Sequence, residues 1–428
     1  MYLNITGLSV GMGLATAMDT LCTQAYGAKK PKLLSIYFQR GLWILSIALI
    51  PITIVSVFSG SILIMLGQNE EVSKKAGHFV TLSILCLPSL YLYELLRKML
   101  QAMNIMMPML LVAAVSNIFN VALCYYLVSE TNLGYIGAAV ARSVSCVFMP
   151  LCLLVYIKLS NAFECIWDGW NLAESLKDWK SWIKIGMGGA LSMCLEWWAF
   201  EILGLLAGLL PEATTEIGAN AIMFNTTAVT YMFYLGVSIA STVRVGNGLG
   251  EGNQKAVRRS ALASLVINAA IGIILGSIVY FCRNSLPRIF TTDESIRDRT
   301  SDTLWILALY QVLDATNGAC RGILQGAGEQ SIAAVICFIA YYCIGIPLGL
   351  VFTFSNFKNN ALYHKLSGLW VGVSLGLLVS LTLSLLHMSR LDLNRLVERA
   401  KRRCSRDACQ ALLDDVAGEG GGDDEVMC

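Results

Sequence analysis

The sequence is poor in charged residues and in histidine. Only 14% of its 428 residues are charged, and three are histidine. Because soluble globular domains average about 25% charged residues, this composition argues against a soluble fold. The formal net charge of +2 gives no reason to expect nucleic acid or a strongly acidic partner.

Catalytic and targeting patterns are also missing. We find no nucleophile–base constellation, P-loop or Walker B sequence, and therefore expect neither an enzyme nor an ATP-driven pump. The N-terminus lacks the basic segment of a cleavable signal peptide. The 14 cysteines show no paired spacing, which predicts small buried hydrophobic residues rather than a disulfide framework or a metal site. We expect no cofactor.

Long apolar runs fill most of the chain. Hydrophobic residues make up 56% of it, and runs of about 20 residues, the length of a helix that crosses a bilayer, recur. These runs are too continuous for the alternating strands of an outer-membrane barrel. The predicted fold class is therefore all-α, a polytopic helical membrane protein with eleven spans. The spans are roughly 3–25, 39–66, 78–100, 108–128, 134–157, 183–209, 217–243, 259–282, 301–320, 331–353 and 367–388.

The distribution of Lys and Arg predicts the orientation of the chain. These residues concentrate in the loops after the odd-numbered spans and in the tail 389–428. Cytoplasmic loops are enriched in them, so we place those loops and the C-terminus in the cytoplasm of a plasma or vacuolar membrane. The tail begins basic and ends acidic and glycine-rich, which predicts a short surface helix followed by disorder.

An internal repeat divides the chain. The segment "GLSVGMGLATAMDTLCTQAYGAKKPK" (7–32) aligns with "YLGVSIASTVRVGNGLGEGNQK" (234–255) at an offset of 223, and "RKMLQ" (97–101) aligns with "RGILQ" (321–325) one residue further. The matched helices are six spans apart, which indicates a parallel repeat of six helices in two pseudo-symmetric bundles.

The repeat predicts four segments. They are an N-terminal lobe of five spans (1–160), a cytoplasmic linker (161–182), a C-terminal lobe of six spans (183–388) and the tail (389–428). The first lobe has one span fewer than the second, so we expect 11 of 12 spans with the first helix missing, through a truncated gene model or a variant lobe.

Two acids lie inside one apolar span. The stretch "CLEWWAFEILG" (194–204) contains Glu196 and Glu201. A charge near the bilayer centre costs at least ~2.5–3.5 kcal/mol on insertion scales, so each carboxyl group must be protonated, paired or hydrated. A buried carboxyl group binds a proton or a cation but binds both poorly together. Trp197 and Trp198 offer faces for a cation; alternatively, hydroxyls or amides satisfy the acids and the tryptophans are interface anchors.

Asp314, in "YQVLDATNGACRG", is a third acid within a span. Asn317 is three residues further and shares its helical face. We predict a binding role for both residues, the alternative being a satisfied polar contact. Glu94 is expected to form an ion pair with Arg97 or Lys98, one turn away. Charged residues near the cytoplasmic span ends are predicted to be structural or gating residues: Asp19, Arg244 and Arg321.

Four blocks of this sequence closely resemble one transporter family. They are "MDTLCTQAYGAKK", "CLEWWAFEILGLLAGLLPE", "ASTVRVGNGLGEGN" and "RGILQGAGEQ", and they resemble the multidrug and toxic compound extrusion (MATE) family, eukaryotic branch. The resemblance covers nearly the whole chain except the tail. It implies two six-helix lobes that face each other around a V-shaped cavity. It also implies rocker-switch export of organic cations or other amphiphiles in exchange for protons or sodium.

The resemblance also assigns roles to single residues. Glu196 matches the family's essential acid in the seventh helix, and Glu201 matches the second acid of that motif. Asp314 falls where animal members carry Glu in the tenth helix. Asn225 falls in the eighth helix where some animal members carry a further Glu; the missing acid argues against animal-type handling of many different cations.

Together these features predict a secondary-active antiporter. It would export organic cations, xenobiotics or amphiphilic metabolites in exchange for protons, as a monomer in the lipid bilayer. The alternatives are an exporter of anionic metabolites, a lipid-type flippase, or an inactive truncated isoform.

Overall fold

The chain folds into helices, as predicted. A computed structural model describes residues 3–65, 70–161, 163, 166–167, 169–354 and 366–418, and every regular element in these ranges is helical. In chain order the α-helices are α1 (Ser9–Gly27), α2 (Lys32–Val57), α3 (Ser59–Met65), α4 (Glu70–Ser83), α5 (Cys86–Ala102), α6 (Met107–Tyr125), α7 (Tyr135–Leu159), α8 (Leu172–Ser175), α9 (Trp179–Ala207), α10 (Ala213–Glu251), α11 (Gln254–Phe281), α12 (Glu294–Ala327), α13 (Gln330–Phe338), α14 (Ile346–Phe354), α15 (Leu366–Arg390) and α16 (Leu393–Gly418). Short π-helical segments adjoin them at Asn4–Leu8, Tyr126–Glu130 and Ile339–Gly345, and a 3-10 turn at Leu286–Ile289.

Many of these helices are long and apolar enough to cross a membrane. In the described part of the chain nine qualify, and a tenth span results if the bent pair α4 and α5 counts as one. Helix α12 contains the predicted span 301–320 but is not among them, because Gln311, Asp314 and Asn317 lower the hydropathy of its centre. The chain is a multi-pass membrane protein.

Helix α12 extends beyond the predicted span at both ends. At its start the Asp293 carboxylate accepts hydrogen bonds from the backbone N–H groups of Ser295 (2.9 Å) and Ile296 (3.3 Å), which is the usual function of an N-cap. At its end Gly328 adopts φ +80°, a left-handed conformation that terminates helices. Hydropathy marks the apolar part of a helix and not its ends. Arg321 therefore lies within the helix instead of at its margin.

Packing divides the chain into two compact units that interleave along the sequence. Unit 1 comprises Met1–Ala190, Gly246–Gly252 and Val397–Cys428, and unit 2 comprises Leu191–Val245 and Asn253–Leu396. The predicted lobe boundaries stay a prediction, since these units are defined by packing alone.

Within unit 1, the end of α1 contacts the end of α10 in a reciprocal pattern. A Cβ atom on Gly27 would lie 2.1 Å from the carbonyl oxygen of Asn247, and one on Gly250 would lie 2.1 Å from that of Gln24. At the offset of 223 residues, Gly27 corresponds to Gly250 and Gln24 to Asn247. The two approaches are therefore the same contact made twice, and glycine is required in both because any side chain would separate the helices.

A disulfide bond joins Cys86 of α5 to Cys146 of α7, with a Cα–Cα distance of 5.4 Å. The prediction that the cysteines are unpaired hydrophobic residues was wrong for these two. They are 60 residues apart in sequence, and only the packing of α5 against α7 brings them together. Other described cysteines are buried as free thiols, among them Cys22, Cys194, Cys320, Cys337 and Cys404.

The tail helix α16 is docked on unit 1. The Tyr37 hydroxyl donates to the Asp407 carboxylate (2.7 Å), and the Arg403 guanidinium donates to the Gln24 side chain (3.1 Å). Ala400 is fully buried and Cys404 is 2% exposed. The predicted short surface helix thus runs over 26 residues, and one of its faces is buried. The predicted disordered end, 419–428, lies outside the described residues.

Unit 2 has a core built on aromatic and small side chains. Trp370 of α15 packs edge-on against Tyr310 of α12, with ring centroids 5.6 Å apart, and its indole N–H donates to the Asn220 side chain (3.1 Å). Helix α11 lies close to α12, since a Cβ on Gly276 would lie 2.5 Å from the carbonyl oxygen of Ala308. This core fixes α12 against its neighbours.

We expect Cys404 to react with maleimide at least tenfold more slowly than the exposed Cys282. Burial, with a smaller contribution from the Asp407 carboxylate, raises the pKa of the Cys404 thiol to about 11, so little reactive thiolate exists at pH 7.5. Labelling of the detergent-solubilised protein, resolved by peptide mass spectrometry, measures both rates. Ala400→Asp should release α16 and accelerate labelling of Cys404 alone. Equal rates in the unaltered protein would contradict the docked arrangement.

Candidate functional site

Glu196 lies on the buried face of α9. It is 7% exposed and follows the helical spacing of Ala199 and Leu203, which are buried in the core of unit 2. The guanidinium of Arg321 on α12 donates two hydrogen bonds to its carboxylate, from Nη1 to Oε2 at 2.5 Å and from Nη2 to Oε1 at 2.6 Å. This is the two-pronged geometry in which arginine binds carboxylates most strongly. Glu196 is therefore a paired acid in this structure.

Asp314 lies two turns before Arg321 on the same face of α12. It is 4% exposed, and its carboxylate accepts a hydrogen bond from the Tyr234 hydroxyl of α10. Two glycines bring α10 this close. A Cβ on Gly318 would lie 3.5 Å from the Tyr234 ring, and one on Gly322 would lie 2.3 Å from the Ser238 carbonyl oxygen. The small residues of "NGACRG" thus position the tyrosine that binds the acid.

The charges of this cluster do not cancel. Glu196 and Asp314 carry two negative charges when ionised, and Arg321 supplies one positive charge. Asp314 lies within electrostatic range of both of the other groups. A net charge of −1 in a buried environment is costly. When both acids are ionised, one further proton or one monovalent cation would neutralise the cluster.

Tyrosines surround the charges. Tyr231, Tyr310 and Tyr341 all interact electrostatically with Glu196 and Asp314. Tyr341 lies in the π-helical segment Ile339–Gly345, and such segments occur frequently at functional sites. Its hydroxyl is buried and has no hydrogen-bond partner among the described residues. A buried hydroxyl without a partner is available to a ligand or to water.

Asn317 belongs to the same face of α12 but has a partner of its own. It is 6% exposed, and its side-chain oxygen accepts a hydrogen bond from the Ser380 hydroxyl of α15 (3.1 Å). Its position is compatible with both interpretations of the sequence, a binding role and a satisfied polar contact. Asn317 lies beside Asp314, and its side-chain oxygen already accepts a hydrogen bond. Its binding role stays a prediction.

The remaining predicted site residues are more exposed than Glu196 and Asp314. Glu201 is half-buried, more than one turn beyond Glu196 on α9, and Trp197 is half-buried while Trp198 is 43% exposed. Asn225 is exposed and donates to the Ala221 carbonyl oxygen of its own helix (2.8 Å). Cation–π contacts in the described part of the chain involve other pairs: Arg40 with Tyr37, and Arg283 with Tyr280.

The sequence analysis missed one member of the cluster, Tyr234, and the partner of another. Arg321 was predicted to be structural or gating, which stays a prediction, and its pairing with Glu196 was not foreseen. A search for the partner of Glu196 would have found it, because an arginine within a span also requires an acid. Tyr234 carries no such signal, because tyrosine is common in apolar segments. Among the described residues, no group of three or more His, Cys, Asp and Glu side chains could hold a metal ion.

The polytopic helical fold agrees with the comparisons to known proteins. The MatE family model matches residues 1–126 and 189–351. The crystal structure of the eukaryotic MATE transporter AtDTX14 superposes with a TM-score of 0.88 at 30% identity, covering 94% of this chain and 88% of that chain. The chain therefore belongs to the MATE family, and this relative places it in the eukaryotic branch.

Curated relatives come from animals and plants. The chain is 34% identical to Multidrug and toxin extrusion protein 1 from Danio rerio over 370 residues, which are 86% of this chain and 61% of that protein. It is also 34% identical to Protein DETOXIFICATION 16 from Arabidopsis thaliana over 381 residues, which are 88% of this chain and 76% of that protein. The chain thus spans less than two thirds of the length of the zebrafish relative.

We expect Tyr234→Phe to destabilise the protein more than Tyr231→Phe. The first change removes the hydroxyl bound to the buried Asp314, and loss of a partner for a buried polar group costs about 1–3 kcal/mol. Tyr231 packs edge-on against Tyr234 at 5.4 Å, and its substitution preserves that ring contact. Thermal unfolding of both purified variants in detergent compares them. An apparent Tm for Tyr234→Phe equal to that of Tyr231→Phe would show that the hydrogen bond contributes nothing.

Proposed function

We propose that the chain is a secondary-active antiporter that exports organic cations and related amphiphilic compounds in exchange for protons. The single observation that supports this most strongly is the uncompensated negative charge of Glu196, Asp314 and Arg321. One proton or one monovalent cation neutralises it, and either excludes the other. Competition of this kind is the physical requirement for exchange, with alternating access delivering the cluster to each side of the membrane in turn.

The geometry supports a division of roles between the two acids. Glu196 is occupied by Arg321 in this structure, whereas Asp314 has a neutral hydroxyl as its partner. Asp314 is therefore the group that takes up the proton first, and Glu196 is the acid that becomes available when Arg321 moves. Glu201, Trp197, Trp198, Asn225 and Asn317 are assigned to the path of the substrate and not to proton exchange.

The sign of the charge also distinguishes this function from its alternatives. An exporter of anionic metabolites, or a flippase for lipid phosphates, requires positive charge at the binding site. The described cluster has one arginine against two acids. The relatives named for multidrug and toxin extrusion support the same conclusion.

By the distribution of basic residues, we propose that the C-terminus is cytoplasmic.

Asp314→Asn should reduce transport driven by a pH gradient to the background of empty vesicles, at least a tenfold loss. The change keeps the shape of the side chain and removes the group that exchanges protons. The assay follows a fluorescent organic cation in proteoliposomes with an imposed pH gradient. Asp302→Asn is the matched control, because Asp302 is an exposed acid on the same helix, and it should retain full transport.

A sodium gradient in place of the pH gradient tests the coupling ion in the same vesicles. Transport driven by a sodium gradient alone would show that the coupling ion is sodium and not the proton. If the Asp314→Asn protein keeps the full rate under a pH gradient, Asp314 is not the proton carrier and the proposed mechanism is wrong.

A further inference from the structure

Arg321 occupies the position at which a cation would bind Glu196. Its two terminal nitrogens contact the two carboxylate oxygens, so both oxygens are engaged. A guanidinium fork matches a carboxylate better than an ammonium group does. A cationic ligand of Glu196 must therefore displace the arginine or bind elsewhere.

The repeat shows that the arginine at this position pairs with another helix in unit 2 and with its own helix in unit 1. In the aligned blocks "RKMLQ" and "RGILQ", Arg97 corresponds to Arg321. Arg97 binds Glu94 on its own helix, three residues away, at 2.6 Å. The residue three positions before Arg321 is Gly318, so no equivalent acid exists there. Arg321 instead reaches from α12 to α9, and its ion pair depends on how these two helices are placed.

The two partners differ in how far they can move. The side chain of Glu196 is 10% exposed and is held in the core, whereas that of Arg321 is 29% exposed. Arg321 is therefore the more exposed partner of the pair. Asp314, Tyr231 and Tyr341 surround the pair, and Asp314 offers a second carboxylate to a displaced guanidinium.

We infer that Arg321 is an internal competitor of the transported cation for the Glu196 carboxylate. In this state the arginine occupies the Glu196 carboxylate, and a cationic substrate binds to that carboxylate only by displacing the arginine. Arg321 thereby determines specificity, because weakly binding cations cannot replace a bidentate guanidinium. The inference rests on the proposed function and adds to it the residue that sets the threshold for cation binding.

The test compares Arg321→Lys with Arg321→Gln by equilibrium binding of radiolabelled tetraphenylphosphonium in detergent, without a gradient. Lysine keeps the charge but loses the bidentate geometry, so this variant should bind the cation several-fold more tightly than the unaltered protein. Glutamine removes the competitor, and the affinity should rise at least tenfold. The lysine variant decides the question even if Arg321→Gln fails to fold.

Arg97→Lys is the matched control, since it makes the same change at the corresponding position of unit 1, and its affinity should be unchanged. An Arg321→Lys protein with unaltered affinity would mean that the arginine acts only through its charge, and weaker binding would mean a structural role; either result overturns the inference. Absence of tetraphenylphosphonium binding to the unaltered protein and to both Arg321 variants would instead overturn the proposed function, and the inference with it.

Discussion

The bidentate ion pair between Glu196 and Arg321 connects α9 to α12 within unit 2, and the exchange proposed for this unit depends on it. Replacing a buried ion pair by apolar side chains is often neutral or even stabilising, whereas removing one partner is strongly destabilising. The contribution of this pair to folding stability alone therefore does not explain its presence. Its value lies in occupying the carboxylate of Glu196 while Asp314, two turns before Arg321 on α12, has a neutral partner.

Corresponding positions of the repeat join the corresponding pairs of helices through different interactions. In unit 1 the Lys98 ammonium binds the Asp19 carboxylate. At the corresponding positions of unit 2, the Thr242 hydroxyl donates to the Gly322 carbonyl oxygen at 2.9 Å. Both contacts join the helix of the first repeat block to the helix of the second. The backbone arrangement is thus repeated, while the charged side chains are free to differ between the units.

The sequence predicted the acids of the site better than their partners. Glu196 and Asp314 stand out because a carboxylate interrupts an apolar run, and that contrast is visible without coordinates. Arg321 was placed near a span end because hydropathy falls there, although capping by Asp293 and Gly328 makes α12 longer than its apolar part. Tyr234 and the Cys86–Cys146 bond depend on contacts between distant segments, which no local pattern encodes.

The balance of buried charge separates the two units most clearly. In unit 1, Asp19 and Glu94 are matched by Lys98 and Arg97, so four charges cancel and nothing further needs to bind. In unit 2, the position that corresponds to Lys98 is Gly322, and two acids share one arginine. A fully matched set of charges is suited to a fixed structure. The described cluster of Glu196, Asp314 and Arg321 lacks one positive charge when both acids are ionised, and this imbalance supports the exchange proposed for unit 2.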